Sequence, residues 1–470
     1  MLFPTVEYAL FFMLALCLGW GLLRWHRAHK LALLGLSYVF YGFWDWHFVP
    51  MLFGLSCWAW LCTRGIQHGR LRRLWLILGA GGSLALLAHY KYTAFFLQNL
   101  ADLASGLGFR PGIEVESPML PLGISFMTFH AISLMMDAWR HKLEDKVDFA
   151  DSLLYVAFFP QLIAGPILRA SSFLPQLRQR PDPARIETGR ALLLIVVGLF
   201  KKVVIANTLA TLLVDDVFAN PAAMSASQVL LGIYGYAAQI YCDFSGYTDI
   251  AIGCALLLGY RFPLNFDAPY VSASPQEFWR RWHISLSSWL RDYLYIPLGG
   301  SRNGAWRTQL NLVITMLLGG LWHGAAWNFV VWGGWHGLLL AGHRQWEALW
   351  QGRDCAWRAS GWWKWTARVL CFHAVCLGWI FFRAASFGEA WAVLSRLFEG
   401  VWSSDLAPGV LLCALAGIGL QFLPDRFLLR MQLMSMRLQP VLHGLAFALA
   451  LVIIEVLGPS EPAPFIYFQF

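Results

Sequence analysis

The chain has 470 residues, of which 58% are hydrophobic and only 13% are charged. A soluble domain is typically about 45–50% apolar and roughly 25% charged. The composition therefore excludes an ordinary soluble domain and a disordered chain, and it indicates a polytopic membrane protein. Basic residues outnumber acidic ones by 35 to 27, a net charge of +8. In a membrane protein such an excess marks cytoplasmic loops rather than a nucleic-acid site.

The N-terminal segment, from Met1 to Leu23, is apolar and has no basic stretch before it. A basic cluster follows it between Arg24 and Lys30. A cleaved signal peptide has the opposite order, with its positive charges first. The order here predicts an uncleaved membrane helix with a periplasmic N-terminus and the basic cluster in the cytoplasm.

The remaining apolar segments predict an all-α, polytopic membrane protein. A helix that spans a bilayer needs about 20 residues, and the segments vary in length around that value. We expect about 10–13 membrane helices and re-entrant segments, in a single integral-membrane domain over residues 1–470. The segments lie at roughly 5–23, 31–44, 48–62, 74–98, 117–138, 150–168, 189–213, 227–260, 309–342, 366–383, 407–424 and 439–458.

Two of these segments contain residues that an ordinary membrane helix avoids. Segment 150–168 lies between two basic loops and contains Pro160, Gly165 and Pro166, which break a helix. It predicts a re-entrant dip, which needs surrounding protein or a water-filled cavity.

Lys201 and Lys202 lie near the middle of segment 189–213. Either the helix bends there, or the lysines face a polar interior, or the helix is shorter and the lysines are interfacial.

The stretch 271–307 is the most basic part of the chain. Ser274 and Pro275 suit the N-cap and the first position of a helix. Apolar residues then recur every three or four positions, at Phe278, Trp282, Leu286 and Trp289. This pattern predicts an amphipathic helix with a basic face on the cytoplasmic membrane surface.

Three of the thirteen histidines stand in unusual surroundings, whereas His26, His29, His47 and His68 are expected to be solvated. His323 lies in the apolar string LLGGLWHGAAW. An imidazole in such a segment can act as a general base. The flanking glycines have no side chains, so a ligand could approach the backbone closely. The alternative is a neutral histidine that is hydrogen-bonded between helices.

The other two unusual histidines are His283 and His336. His283 lies in the predicted basic amphipathic helix. His336 repeats the WHG string 13 residues after His323, which is about 20 Å along a straight helix. The two could share a site only if the glycines break the helix, so we interpret His336 as a packing residue or as a residue of a second cavity.

The string IYCDFSGYTDIAIG carries Asp243 and Asp249. It suits a bent helix that lines a polar cavity, and the alternative is a structural network with Arg or Lys. The chain has no GxSxG, no phosphate-binding loop, no Rossmann fingerprint and no HExxH motif. Its nine cysteines include no CxxC pair. A histidine base that activates a substrate hydroxyl is therefore the simplest enzymatic scheme that these residues allow.

Several long strings are similar to the signature region of the membrane-bound O-acyltransferase (MBOAT) family. They span residues 121–340 and resemble most closely the bacterial members that acetylate alginate or cellulose; the D-alanyl transferases of teichoic acids belong to the same branch. The strings are FWRRWHISLSSWLRDYLYIPLGG, LLGGLWHGAAWNFVVWGGWHG, GISFMTFHAISLMMDAWR, FFPQLIAGPILR, YCDFSGYTDIAIG and NFDAPYVSASPQEFW.

The resemblance implies a multi-helix fold around a funnel and transfer of an acyl group from a cytoplasmic thioester to a hydroxyl. The family's catalytic histidine corresponds to His323, and its second motif residue corresponds to His283. We expect both to be catalytic, with His283 as a candidate oxyanion donor or as the residue that orients the donor thioester. Arg280 and Arg281 would bind the phosphates of coenzyme A or an acidic carrier protein. Asp243 and Trp322 are further candidates for substrate binding.

The expected donor is acetyl-CoA, as a substrate, with no bound cofactor and no metal. The expected partners are periplasmic acetyltransferase or acceptor proteins of an exopolysaccharide system and the lipid bilayer, without nucleic acid, and the expected location is the bacterial inner membrane.

Three alternatives stay open. One is a D-alanyl or other acyl transferase that uses a carrier protein. A second is a polysaccharide transporter, although no inverted repeat supports it. The third is a metal site of His283, His323 and His336, which lacks carboxylate or Cys ligands at a useful spacing.

Overall fold

A computed structural model describes residues 3–109, 118–144, 146–163, 165–353, 356–403, 407–459 and 463–466. The described residues form helices and connecting loops without any β-strand, which confirms the predicted all-α class. Three helices in this part of the chain are long and apolar enough to cross a membrane: Thr188–Ala219, Gly361–Arg383 and Pro440–Leu457. Two shorter apolar helices are Val6–Gly21 and Pro408–Phe422. The number of crossings and the funnel stay predictions.

The chain divides into two compact units. The first comprises Met1–Ile186 with Cys254–Pro263, and the second comprises Glu187–Gly253 with Leu264–Phe470. The single membrane domain over residues 1–470 stays a prediction.

The described part of the first unit contains eight α-helices. They are α1 (Val6–Gly21), α2 (His26–Asp45), α3 (Val49–His68), α4 (Arg72–Gly106), α5 (Ile124–Trp139), α6 (Phe149–Ala157), α7 (Phe159–Leu162) and α8 (Ala170–Arg178). The expectation of a solvated His29 is wrong. That side chain is buried, with Nδ1 2.8 Å from the Gly19 carbonyl oxygen and Nε2 3.2 Å from the Tyr260 hydroxyl.

The predicted break within 150–168 is confirmed. Helix α6 ends at Ala157, α7 has only four residues, and the described residues from 165 to 169 are not helical. The side chain of Gln161 donates to the Tyr155 carbonyl oxygen at 2.5 Å, and the Tyr155 hydroxyl donates to the Leu168 carbonyl oxygen at 2.8 Å. These bonds satisfy carbonyl groups that the broken helix leaves without partners. That the segment is re-entrant stays a prediction.

The second unit contains the remaining helices. They are α9 (Thr188–Leu199), α10 (Asn207–Leu209), α11 (Asp215–Ala219), α12 (Ala226–Leu257, whose last turn clusters with the first unit), α13 (Pro275–Arg281), α14 (Ile284–Leu290), α15 (Gly304–His323), α16 (Trp327–Trp350), α17 (Ala356–Ala359), α18 (Gly361–Arg383), α19 (Phe387–Glu399), α20 (Pro408–Gly419), α21 (Asp425–Arg437) and α22 (Pro440–Leu457). Its described residues also include three π-helical stretches, at Phe200–Ala206, Ala210–Val214 and Arg291–Tyr295.

The two central lysines lie in the first π-helical stretch and face carboxylates of α12. Lys201 Nζ is 2.7 Å from Asp249 Oδ2, and Lys202 Nζ is 2.7 Å from Asp243 Oδ1. The helix continues from Thr188 to Ala219, so the shorter-helix alternative is wrong. The π-helical stretch and the polar interior together accommodate the charges.

Glycines let these two helices approach closely. A Cβ atom on Gly198 would lie 2.6 Å from the Gly246 carbonyl oxygen, and the reverse distance would be 2.7 Å. Small residues at such crossings allow membrane helices to pack backbone against backbone. This close approach brings the lysines of one helix within reach of the aspartates of the other.

The predicted apolar segment 309–342 is two helices that form a hairpin. Helix α15 ends at His323, Gly324 is extended (φ −158°), and α16 begins at Trp327. Two glycines of this region let the backbones of α15 and α16 pack closely together. A Cβ atom on Gly320 would lie 3.0 Å from the Cα atom of Gly333. The expectation that these glycines make room for a ligand is therefore wrong for Gly320.

We expect Gly333→Ala to destabilise the hairpin. Its new methyl group would lie 2.3 Å from the Met316 carbonyl oxygen, and overpacking of this kind costs roughly 1–3 kcal/mol. The matched control is Gly342→Ala on the same helix, where no atom lies within 4 Å of the new Cβ; it should stabilise α16 by about 1 kcal/mol. Thermal melting of both variants in detergent checks this, and equal melting temperatures would contradict it.

The predicted amphipathic helix of 271–307 begins as expected but does not continue. Ser274 Oγ accepts from the Glu277 amide at 3.1 Å, and α13 ends at Arg281. A new helix, α14, starts after His283. The apolar side chains of both helices are buried inside the protein; Phe278 and Trp282 are each 1% exposed. The expectation of one continuous helix on the membrane surface is wrong.

Candidate active site

His323 is the last residue of α15 and is enclosed by aromatic rings. It is 4% exposed, and its ring centroid lies 4.9 Å from that of Trp322, 5.0 Å from Trp332 and 5.2 Å from Phe382. All three pairs are edge-to-face, the favourable arrangement for aromatic quadrupoles. The hairpin break places His323 where α15 stops, and α16 and α18 supply the surrounding rings.

His283 occupies the junction between α13 and α14 in a left-handed conformation, with φ +41° and ψ +55°. A residue with a Cβ atom is disfavoured there by about 1–2 kcal/mol. The junction is held by main-chain bonds: the Asp267 amide donates to the Arg281 carbonyl oxygen at 2.9 Å, and the Ile284 amide donates to the Asn265 carbonyl oxygen at 2.9 Å. Backbone strain of this kind clusters at functional sites.

The Asn265 side chain determines which nitrogen of a neutral His283 carries the proton. Asn265 Oδ1 accepts from the Ser285 amide at 3.1 Å, so this atom is the oxygen of the amide. It lies 3.2 Å from His283 Nδ1, which must therefore be the donor. His283 Nε2 then carries a lone pair, and it is buried without a hydrogen-bond partner in the described part of the chain.

Trp322 connects the two predicted catalytic histidines. Its ring centroid lies 6.2 Å from that of His283 and 4.9 Å from that of His323. His283 is fully buried. Three of the site residues predicted from the sequence thus meet in one aromatic cluster, which is shielded from water.

His336 lies one ring away from His323, because the hairpin brings both against Trp332 (5.0 Å each). Its Nδ1 accepts from the Trp279 indole N–H at 3.3 Å. Its Nε2 faces α18 so closely that a Cβ atom on Gly378 would lie 3.1 Å from it. No substrate fits between these atoms, which favours the interpretation of His336 as a packing residue.

Asp243 lies beside this cluster in a buried ion pair with Lys202; the two side chains are 3% and 2% exposed. The pair also binds the main chain of Ala463–Ile466. Lys202 Nζ donates to the Ala463 carbonyl oxygen at 3.0 Å, and Asp243 Oδ2 accepts from the Ile466 amide at 2.8 Å. Both carboxylate oxygens have protein partners, as the structural-network alternative requires. A substrate role for Asp243 stays a prediction.

The C-terminal segment reaches the cluster through Phe465. That ring lies 4.1 Å from Tyr247 and 6.0 Å from Phe244. Phe244 in turn contacts the His283 ring edge-to-face at 4.7 Å. The segment therefore forms part of the wall behind His283.

The two arginines predicted to bind phosphates differ in their surroundings. Arg281 contacts Glu277 at 3.1 Å and Asp267 at 3.2 Å, so its guanidinium is already held. Arg280 is exposed and has no ion pair within the described ranges. Of the two, Arg280 is better placed to receive a phosphate; both assignments stay predictions.

The metal-site alternative gains no support from the geometry. Within the ranges that the structure describes, no group of three His, Cys, Asp or Glu residues could hold a metal ion. His283 and His336 instead make the hydrogen bonds with Asn265 and Trp279 described above.

Sequence reasoning missed Asn265, Trp332 and Phe382 as parts of the site. Asn265 opens the string NFDAPY, and the two aromatic residues lie in apolar helices among many similar ones. No spacing or capping pattern singles them out, because each acts through a partner on another element.

Comparison with known proteins agrees with the geometry. The model of the membrane-bound O-acyltransferase family matches residues 55–382. The chain is 42% identical over 401 residues to the probable alginate O-acetylase AlgI of Pseudomonas aeruginosa, covering 84% of this chain and 74% of that protein. It is 35% identical over 456 residues to the peptidoglycan O-acetyltransferase of Helicobacter pylori, covering 90% and 83%.

A more distant similarity is to the teichoic acid D-alanyltransferase of Bacillus subtilis, at 29% identity over 283 residues, covering 57% of this chain and 69% of that protein. The family match covers more than two thirds of the chain and includes His283, Trp322 and His323. The chain belongs to the membrane-bound O-acyltransferase family and is an O-acyltransferase.

Proposed function

We propose that the protein transfers an acetyl group from cytoplasmic acetyl-CoA to a hydroxyl group for O-acetylation of an exopolysaccharide, directly or through a periplasmic acceptor protein. The observation that carries this proposal is the buried aromatic cluster in which Trp322 lies between His283 and His323. The relatives named as O-acetyltransferases of alginate and of peptidoglycan support acetyl as the group transferred. The inner membrane, with a periplasmic N-terminus, is the proposed location.

In the proposed reaction His323 is the general base. The acceptor hydroxyl oxygen bonds to the carbonyl carbon of the thioester as its proton moves to the imidazole. The C–S bond then breaks, and the imidazolium returns the proton to the leaving sulfur. The products are the acetyl ester and free coenzyme A. The ring enclosure of His323 excludes water, which protects the thioester from hydrolysis.

We assign His283 a positioning role. An oxyanion donor at its Nε2 would need a proton there, and the bond from Nδ1 to Asn265 leaves a lone pair on Nε2 in the neutral ring. The lone pair can accept a hydrogen bond from another donor group of the acceptor, since the proton of the reacting hydroxyl goes to His323, and it can so orient the acceptor toward the thioester. This argues against the oxyanion-donor role for a neutral His283.

The second candidate function is acyl transfer from a carrier protein. It is favoured by the similarity to the teichoic acid D-alanyltransferase of Bacillus subtilis and by the exposed Arg280, which would also suit an acidic carrier. The two candidates differ in the donor and share the same histidines.

The test uses purified full-length protein in proteoliposomes with radiolabelled acetyl-CoA on one side. We expect release of coenzyme A and radiolabel on a hydroxyl acceptor supplied opposite the donor, with alginate, cellulose and peptidoglycan fragments compared in parallel. A carrier protein loaded with D-alanine is the competing donor. Turnover with the loaded carrier and none with acetyl-CoA would overturn the proposal in favour of the second candidate.

A further inference from the structure

A groove of about 410 Å³ lies between α9, α21 and α22, all in the second unit. Its walls are apolar and include Leu192 and Val196 of α9, Met434 of α21, and Phe447 and Ala450 of α22. Helices α9 and α22 belong to segments that are long and apolar enough to cross a membrane. The groove is remote from the histidines of the candidate active site in sequence and shares no lining residue with them.

The groove is polar at one end only. Ser435, Arg437 and His443 line it there. Ser435 Oγ donates to the Gly189 carbonyl oxygen at 2.8 Å and lies 3.2 Å from His443 Nε2. Arg437 is exposed and has no ion pair in the described part of the chain. The polar end of the groove therefore carries a positive charge, and the rest of the groove is apolar.

The helix directions reinforce this polarity. Helix α9 begins at Thr188 and α22 begins at Pro440, so both present their N-termini at the polar end. A helix N-terminus carries a partial positive charge that favours anions. Along α22 the lining residues run from His443 to Ala450, about 10 Å deeper. An amphiphile with an anionic head and an apolar chain fits this gradient.

The surroundings identify the class of amphiphile. Only 6% of the apolar stretch of α22 is buried, and its Leu445 and Leu449 are 63% and 61% exposed. In a bilayer these side chains face lipid hydrocarbon. Helix α21 exposes Met434 and the basic Arg437, as an interfacial helix on an anionic membrane does.

We propose that this groove binds one anionic glycerophospholipid, with its phosphate at Arg437 and His443 and one acyl chain along Val196 and Phe447. The site is independent of acyl transfer. It joins α21 and α22 to α9 through the bound lipid, and it gives the protein a preference for anionic over zwitterionic phospholipid.

The test is a titration of delipidated full-length protein in neutral detergent, followed by native mass spectrometry. The probes are dioleoylphosphatidylglycerol and dioleoylphosphatidylcholine. We expect tighter binding of phosphatidylglycerol, and Arg437→Gln should weaken it by about fivefold, the factor that one Lys or Arg contributes near anionic lipid. The matched control Arg430→Gln, on the same helix but outside the groove lining, should leave the preference unchanged.

Two further arms separate a lipid site from a general anion site. Ala450→Phe fills the apolar end, and we expect it to reduce phosphatidylglycerol binding while Arg437 is intact. Soluble glycerol 3-phosphate should not displace the lipid. Equal affinity for the two lipids, equal losses in the Arg437 and Arg430 variants, or displacement by glycerol 3-phosphate would each overturn the proposal.

Discussion

Replacement of His323 by alanine should reduce acetyl transfer by roughly 10²–10⁴-fold while the protein still inserts into the membrane. The side chain is buried among Trp322, Trp332 and Phe382, where a general base contributes a factor of roughly 10²–10⁴. The measurement is coenzyme A release and acetyl-ester formation by proteoliposomes that contain wild-type or variant protein. Binding of a non-hydrolysable acetyl-CoA analogue should persist, because the imidazole acts on the acceptor hydroxyl.

The control for this variant is His336→Gln. His336 is also a buried histidine within a WHG string, and it contacts Trp332 at the same centroid distance as His323. Its Nδ1 accepts from Trp279, a role that the glutamine carbonyl oxygen reproduces. We expect activity close to that of the wild type. Equal loss in both variants would contradict a special role for His323.

Replacement of Lys202 by methionine should give the largest loss of stability among single changes to the charged interior. It leaves Asp243 as an unpaired charge in a site where both side chains are at most 3% exposed. Removal of one partner of a buried pair costs about 3–5 kcal/mol. It also removes the bond to the Ala463 carbonyl oxygen, so the segment behind His283 should loosen. Thermal melting in detergent and proteolysis of the C-terminal segment measure the two effects.

Two comparisons make this prediction specific to the buried pair. Lys201→Met breaks the neighbouring pair with Asp249, whose side chains are 20% and 16% exposed, and it should cost less because protein encloses this pair less completely and, in the described part of the chain, the pair holds no main-chain segment. The double variant Lys202→Met/Asp243→Leu removes both charges and should recover part of the lost stability. A Lys202→Met protein that melts with the wild type would refute the role assigned to the pair.

The features that could be predicted from the sequence are those set by interactions within a single segment of the chain. Composition and continuous apolar runs predicted an all-helical membrane protein, because a chain in lipid must satisfy its backbone hydrogen bonds within each helix. The capped start of α13 followed from Ser274 and Pro275, which interact with the helix that they begin. The break near Pro160 followed from the proline itself, whose ring removes a backbone N–H donor from the helix. His323 and His283 were found through the family strings.

The tertiary structure alone decided which of these residues meet. The bond from Asn265 to His283, the rings of Trp332 and Phe382 around His323, and the pair of Lys202 with Asp243 all join different elements. The continuous helix predicted over 271–307 failed for the same reason, since main-chain bonds from residues 265–267 hold His283 in a left-handed conformation that ends α13. Helical periodicity describes which residues share a face, but the partner of that face depends on packing between segments far apart in the chain. The class of protein and the candidate histidines thus follow from the residues along the chain, whereas close packing between helices sets the surroundings of these histidines and the hydrogen bond that selects the tautomer of a neutral His283.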